Sequence, residues 1–141
     1  MIKKFLAVPA QSKITDVVLL ITRIVVGYAF IMHGMSKIQA PMSWMGADSS
    51  VPGIFQALAA ISEFGGGIAL ILGLLTGLAS LGLWFTMAVA VYMHAMVFGH
   101  SFLGKDGSYE LPLVYLLVMS LFLALGPGRY SADQKIFGVR S

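Results

Sequence analysis

The chain has 141 residues, 58% hydrophobic and 11% charged, with a net charge of +3. Soluble domains are about a quarter charged, so this composition, with a mean hydropathy of +0.89, excludes an ordinary soluble domain and reads as an integral membrane protein. The absence of cysteine excludes disulfide, cysteine-zinc, iron-sulfur and thiol-redox chemistry carried by this chain alone, and no basic stripe interleaved with aromatics suggests nucleic acid.

Residues 1–13 carry Lys3, Lys4 and Lys13 around a short apolar patch and read as an interfacial lead-in. No small-residue cleavage site follows the first apolar run, which reads as an uncleaved span over residues 14–35. That is roughly the 20 residues a bilayer needs. The span holds Arg23 near its middle and His33 near its end, with Lys37 just beyond. A loop with Pro41, Trp44, Asp48 and Pro52 leads to a second span at 54–75, in which Glu63 is followed directly by Gly65, Gly66 and Gly67. A charge in lipid costs about 2.5–3.5 kcal/mol or more, so Glu63 requires a partner. The glycines let a neighbouring helix backbone approach closely. Thr76 and Gly77 read as a tight turn into a third span at 78–98 containing Trp84, Tyr92 and His94. A polar loop with His100, Lys105 and Asp106 precedes a short fourth span at 110–125, which begins with Glu110 and is stopped by Gly126, Pro127 and Gly128. The expectation is an all-α, four-helix integral membrane bundle, a single domain over residues 1–141 without internal repeats.

Basic residues bias toward the cytoplasm. Lys3, Lys4, Lys13, Arg129, Lys135 and Arg140 lie on the side of the termini and only Lys37 and Lys105 on the side of the longer loops. Both termini are therefore expected in the cytoplasm and the longer loops outside, in a bacterial inner membrane. With the outer ends of the first two spans taken as level, a rise of 1.5 Å per residue puts Arg23 and Glu63 at a shared depth of roughly 14–17 Å, which predicts an ion pair between them. At 100° per residue Arg23, Gly27, Phe30, Gly34 and Lys37 fall on one face, and Gln56, Glu63, Gly67 and Leu70 on another. The picture is a polar pocket in the outer half of the bundle, with Arg23 and Glu63 as its floor and His33, His94 and Glu110 as its walls. A bland alternative stands beside it, in which an Arg-Glu pair only fixes helix register and each histidine is satisfied by one carbonyl. Met32, His33 and Met35 repeat the pattern of Met93, His94 and Met96, and thioether with imidazole suits Cu(I). One helix cannot aim both methionines and the histidine at a single ion, and methionine is also a common apolar filler.

Taken in order, Arg23, Gly27, His33, Gly34 and Lys37, then Glu63 with its three glycines, Gly73 and Thr76, His94, Gly107 to Glu110, and Gly126 to Ser131 resemble the DoxX family of small bacterial membrane proteins. The resemblance covers about residues 14–135. It implies a four-span bundle and an association with quinone-linked redox chemistry, related subunits belonging to thiosulfate:quinone oxidoreductases.

The functional expectation is a membrane redox component that binds a quinone or similar small hydrophobic ligand. His33 and His94 would donate hydrogen bonds and carry protons, Glu63 and Glu110 would relay protons, Arg23 and Lys37 would hold the ligand, and Arg23 would also keep Glu63 charged and oriented. No metal and no covalently bound cofactor is expected at this site. Electrons would come from a partner redox subunit or directly from substrate, and a homo-oligomer is left open. The alternatives are a non-enzymatic assembly or scaffold subunit, and a small transporter or copper-handling protein using the same pocket.

Overall fold

The computed structural model describes residues 6–140, the side chain of Arg140 excepted. Lys3 and Lys4, part of the basic bias at the N-terminus, lie outside the described residues. A two-residue strand β1, Val8–Pro9, precedes helix α1, Lys13–Lys37. Helix α2 is Gly53–Leu72, and α3 is Thr76–Tyr92, continued by a π-helical turn at Met93–Val97. Helix α4 is Glu110–Leu125, followed by the short α5, Ala132–Phe137, and the strand β2, Val139–Arg140. The fourth helix coincides with the expected span, and the other three lie within a few residues of theirs. Three helices are long and apolar enough to cross a membrane, and α4 is a shorter apolar helix of the same bundle.

Helix boundaries follow from local chemistry. Ser12 is extended and its Oγ accepts from the Thr15 amide at 3.1 Å, capping α1. Gly73, with φ +63°, ends α2 in the left-handed conformation that only glycine adopts freely. The turn into α3 is therefore Gly73 to Leu75, three residues before the Thr76-Gly77 turn expected from the sequence. Leu75 is also left-handed, at φ +46°, and its side chain offers no cap. Asp133 supplies the cap from the far end of the chain, its carboxylate accepting from the Leu75 amide at 2.6 Å and the Thr76 amide at 2.8 Å. An anion at the N-terminus of α3 also complements the helix dipole.

Packing runs in sequence, α1 on α2, α2 on α3 and α3 on α4, and the Phe30 and Tyr115 rings, 4.9 Å apart, link α1 to α4. Leu19, Val26, Phe30, Leu70, Leu83, Met87, Met119 and Phe122 form one core drawn from all four helices. The α1-α2 seam is set by glycine. A Cβ on Gly27 would lie 2.7 Å from the Gly67 carbonyl oxygen, and one on Gly67 would lie 2.7 Å from that of Gly27. Gly34 meets the Phe64 backbone in the same way, with a Cβ placed 2.6 Å from its amide nitrogen. These three contacts fix the register of the two helices to within a residue, because each is backbone against backbone.

At the end where the chain begins and finishes, β1 and β2 pair in parallel, Val8 with Val139 and Pro9 with Arg140. Buried Asp16 accepts from the Arg129 amide at 2.8 Å, and Asp133 donates its own amide to the Gly73 carbonyl at 2.9 Å. The segment after α4 thus straps the helix ends together, and the two described ends of the chain lie on one side of the bundle.

Candidate functional site

The register of α1 against α2 decides which charges meet. With Gly27 opposite Gly67 and Gly34 against Phe64, Lys37 falls level with Glu63 and Arg23 level with Gly73. The Lys37 ammonium donates to Glu63 Oε1 at 2.7 Å and lies 2.7 Å from Oε2 as well. The glutamate side chain is 3% exposed and the lysine 23%, so the pair is buried at its acidic end and open at its basic end. The Trp44 ring sits 4.5 Å from the Lys37 ammonium and covers it, a favourable placement for a cation.

The expected ion pair between Arg23 and Glu63 is not formed. Arg23 is fully buried at the other end of α2, where its guanidinium donates to the Tyr130 carbonyl and fills the space left by the missing side chain of Gly73. A shared depth for Arg23 and Glu63 requires the loop ends of the two spans to be level. In the structure α2 starts ten residues before Glu63, so it overshoots the end of α1 by about 15 Å. The loop between them climbs back along this overhang. Gln56, which shares the buried face with Glu63, holds it there: its Oε1 accepts from the Met45 amide at 3.0 Å and its Nε2 donates to the Val51 carbonyl at 2.8 Å. The Trp44 indole donates to the Gln56 carbonyl at 2.9 Å, which fixes the ring over Lys37.

Two cavities meet at the ion pair. The larger, about 650 Å³, lies between α2 and α3 beneath the loop and is lined mainly by apolar side chains, among them Phe55, Leu58, Phe85, Val89 and Met93. The smaller, about 300 Å³, lies between α1, α3 and α4 and is lined by Phe30, His33, Met87, Leu111 and Tyr115 among others. Lys37, Glu63, Ala90 and His94 border both. Four of the six residues singled out from the sequence, His33, Lys37, Glu63 and His94, are therefore brought around one polar junction. His33 reaches only the smaller cavity, with its ring edge 6.2 Å from Tyr115. Glu110 is not brought there. It opens α4, where a carboxylate favours the helix N-terminus, and it lines neither cavity. Arg23 belongs to the opposite end of the bundle.

The junction includes groups that the sequence reading did not assign to it. Trp44 reads from the sequence only as a residue of the first loop, and the residue spacing carries no sign of its contact with Lys37, which depends on the fold of the loop. His100 reads from the sequence only as a residue of the polar loop; its Nδ1 lies 3.0 Å from that of His94. Among the described residues no group of three or more His, Asp or Glu side chains is disposed to hold a metal ion. Of the methionines in the repeated pattern, Met32, Met35 and Met96 are exposed on the outer surface, while Met93 lines the larger cavity.

Comparison with known proteins agrees with the site's setting. A family model described as DoxX matches residues 18–97, which include α2, α3 with its π-helical turn, and most of α1. An uncharacterized protein of Haemophilus influenzae is 37% identical over 117 residues, covering 82% of this chain and 87% of that protein. The inner membrane protein YqjF of Escherichia coli is 36% identical over 134 residues, covering 88% of this chain and 95% of that protein. No solved structure gives a significant match. With its apolar helices and these relatives, the chain is a multi-pass protein of the bacterial inner membrane, and it belongs to the DoxX family.

Proposed function

We propose that the protein is a membrane redox component that binds a quinone, or a molecule of the same build, with its head group at the junction of Lys37, Glu63 and His94. The observation that carries this reading is the larger cavity: about 650 Å³, apolar along its length, and ending on an ion pair and an imidazole. Ligand cavities of roughly 300–1,000 Å³ with apolar walls and a few convergent polar groups are the usual form of a small-molecule site. A quinone needs an apolar cleft for ring and tail, and donors for its carbonyl oxygens. The residues present fit both needs. Phe55, Leu58, Phe85 and Val89 line the cavity and are also more than half exposed on the surface between α2 and α3. The cavity is thus open toward lipid, and a tail can enter from the bilayer. At the inner end the Lys37 ammonium, held by Glu63, donates toward a carbonyl oxygen, and His94 offers ring nitrogens that can donate or accept a proton. Bound quinone supplies the electron-accepting chemistry, and with no cysteine in the chain the electrons come from a partner redox subunit.

The same opening between α2 and α3 favours a second reading, a scaffold subunit in which a partner's helix fills the groove. Trp44 lies in the cavity lining and Trp84 does not, so Trp84→Phe leaves a single reporter at the site. Saturable quenching of Trp44 by decylubiquinone, weakened by Lys37→Met and by filling the groove with Gly82→Leu, is the expected result. Quenching that rises linearly with ligand, as simple partition into lipid gives, and is indifferent to both substitutions would refute the quinone reading. Copurification of a stoichiometric partner that closes the groove would then support the scaffold.

A further inference from the structure

His94 meets the junction paired with His100, a residue outside the proposed quinone site, and the local backbone is shaped to hold the pair. Helix α3 ends in the π-helical turn Met93–Val97, after which the His100 amide donates to the His94 carbonyl at 2.9 Å and folds the chain back over the helix end. A bridge between Ser101 and Ser108 closes the following loop. A Cβ on Gly107 would lie 2.3 Å from His100 Cε1, so the imidazole occupies the space that any other residue at 107 would fill. The Phe98 ring stands 5.6 Å from both imidazoles and covers their flank. The two Nδ1 atoms are left 3.0 Å apart, a distance at which one ring donates and the other accepts a single shared proton.

We infer that His100 and His94 form a two-imidazole proton relay between the outer loop and the polar junction of the cavities. The inference rests on the reading that this junction receives a head group that exchanges protons. A proton taken up from water makes His100 the cation. His100 passes its Nδ1 proton to Nδ1 of His94, and His94 releases its Nε2 proton toward the junction. One proton has then moved inward and only N–H bonds have changed; His100 is left protonated at Nε2 and His94 at Nδ1, and each ring returns to its starting tautomer by giving up that proton to water and taking one at its other nitrogen. His33, Lys37 and Glu63 face the same cavities from α1 and α2, and Lys105 and Asp106 are the charged residues of the outer loop. Of these only His33 is an imidazole, and it borders the smaller cavity without bordering the larger.

The chain contains three histidines, so the full-length protein labelled with ¹⁵N-histidine in a lipid bilayer gives a spectrum in which each can be followed. The measurement is the exchange rate of the His94 ring proton with water. In His100→Phe that rate should fall by about a hundredfold or more, the scale on which a positioned acid-base group acts. His33 should be unaffected, and added free imidazole should restore the rate. His100→Gln keeps a polar contact at the same place but cannot carry the proton, so it should slow exchange as well while guarding against a folding defect. Unchanged exchange at His94 in both variants would overturn the relay. So would a stoichiometric metal ion in the purified protein with both Nδ1 signals shifted by it, since the pair would then be a ligand set. None of these readings uses a quinone. Failure of decylubiquinone to bind therefore counts against the head-group reading alone, and failure of the exchange test against the relay alone.

Discussion

Removing the charge of Lys37 tests whether the junction is an ion pair or two independent polar residues. Glu63 is 3% exposed and has Lys37 as its ion-pair partner, so Lys37→Met strands a carboxylate inside the bundle. Breaking a buried pair from one side costs about 3–5 kcal/mol, most of it the penalty of the charge left behind. The reverse change is gentler. In Glu63→Met the ammonium keeps the Trp44 ring at 4.5 Å and is already 23% exposed, so it can extend to the loop end and regain water, at a cost of about 1–2 kcal/mol. The double variant leaves two apolar side chains of similar volume, and such replacements are often neutral. The coupling in the cycle should therefore reach at least about 2 kcal/mol, against the ~0.3–0.5 kcal/mol found for independent sites. Reversible unfolding in mixed detergent micelles gives the three differences. A coupling within the independent range would refute the pairing, as would a Glu63→Met variant less stable than Lys37→Met. The same cycle run on Arg23 and Glu63 should be additive, because Arg23 is held at the far end of α2 by Tyr130.

The glycine seam predicts opposite outcomes for neighbouring positions. Gly67→Ala places a Cβ 2.7 Å from the Gly27 carbonyl, a backbone atom that cannot move aside, and should destabilise by about 1–3 kcal/mol in the same unfolding assay. Gly65→Ala meets nothing within 4 Å and should stabilise by up to about 1 kcal/mol through helix propensity. The basic bias predicts the orientation: a reporter fused after Ser141 should be active only as a cytoplasmic reporter, and one inserted near Ser49 only as an external one. The opposite pattern would turn both cavities toward the cytoplasmic leaflet.

The sequence by itself determined what the bilayer demands. Long apolar runs had to be helices because lipid satisfies no backbone polar group, and the 3.6-residue period put Arg23, Gly27, Phe30 and Gly34 on the buried face of α1, and Gln56, Glu63, Gly67 and Leu70 on that of α2. Periodicity fixes rotation about a helix axis, which is why those faces could be read. It says nothing about sliding along the axis. Which cation meets Glu63 is a question of sliding, decided where Gly27 and Gly67 bring two backbones together, and that contact exists only in the packed bundle. The register gave Glu63 to Lys37 and sent Arg23 to the strap after α4. The loops were equally closed to sequence reading. Trp44 reaches Lys37, and His100 reaches His94, through turns built on Gln56 and Gly107, whose partners are distant in pattern and adjacent only after folding.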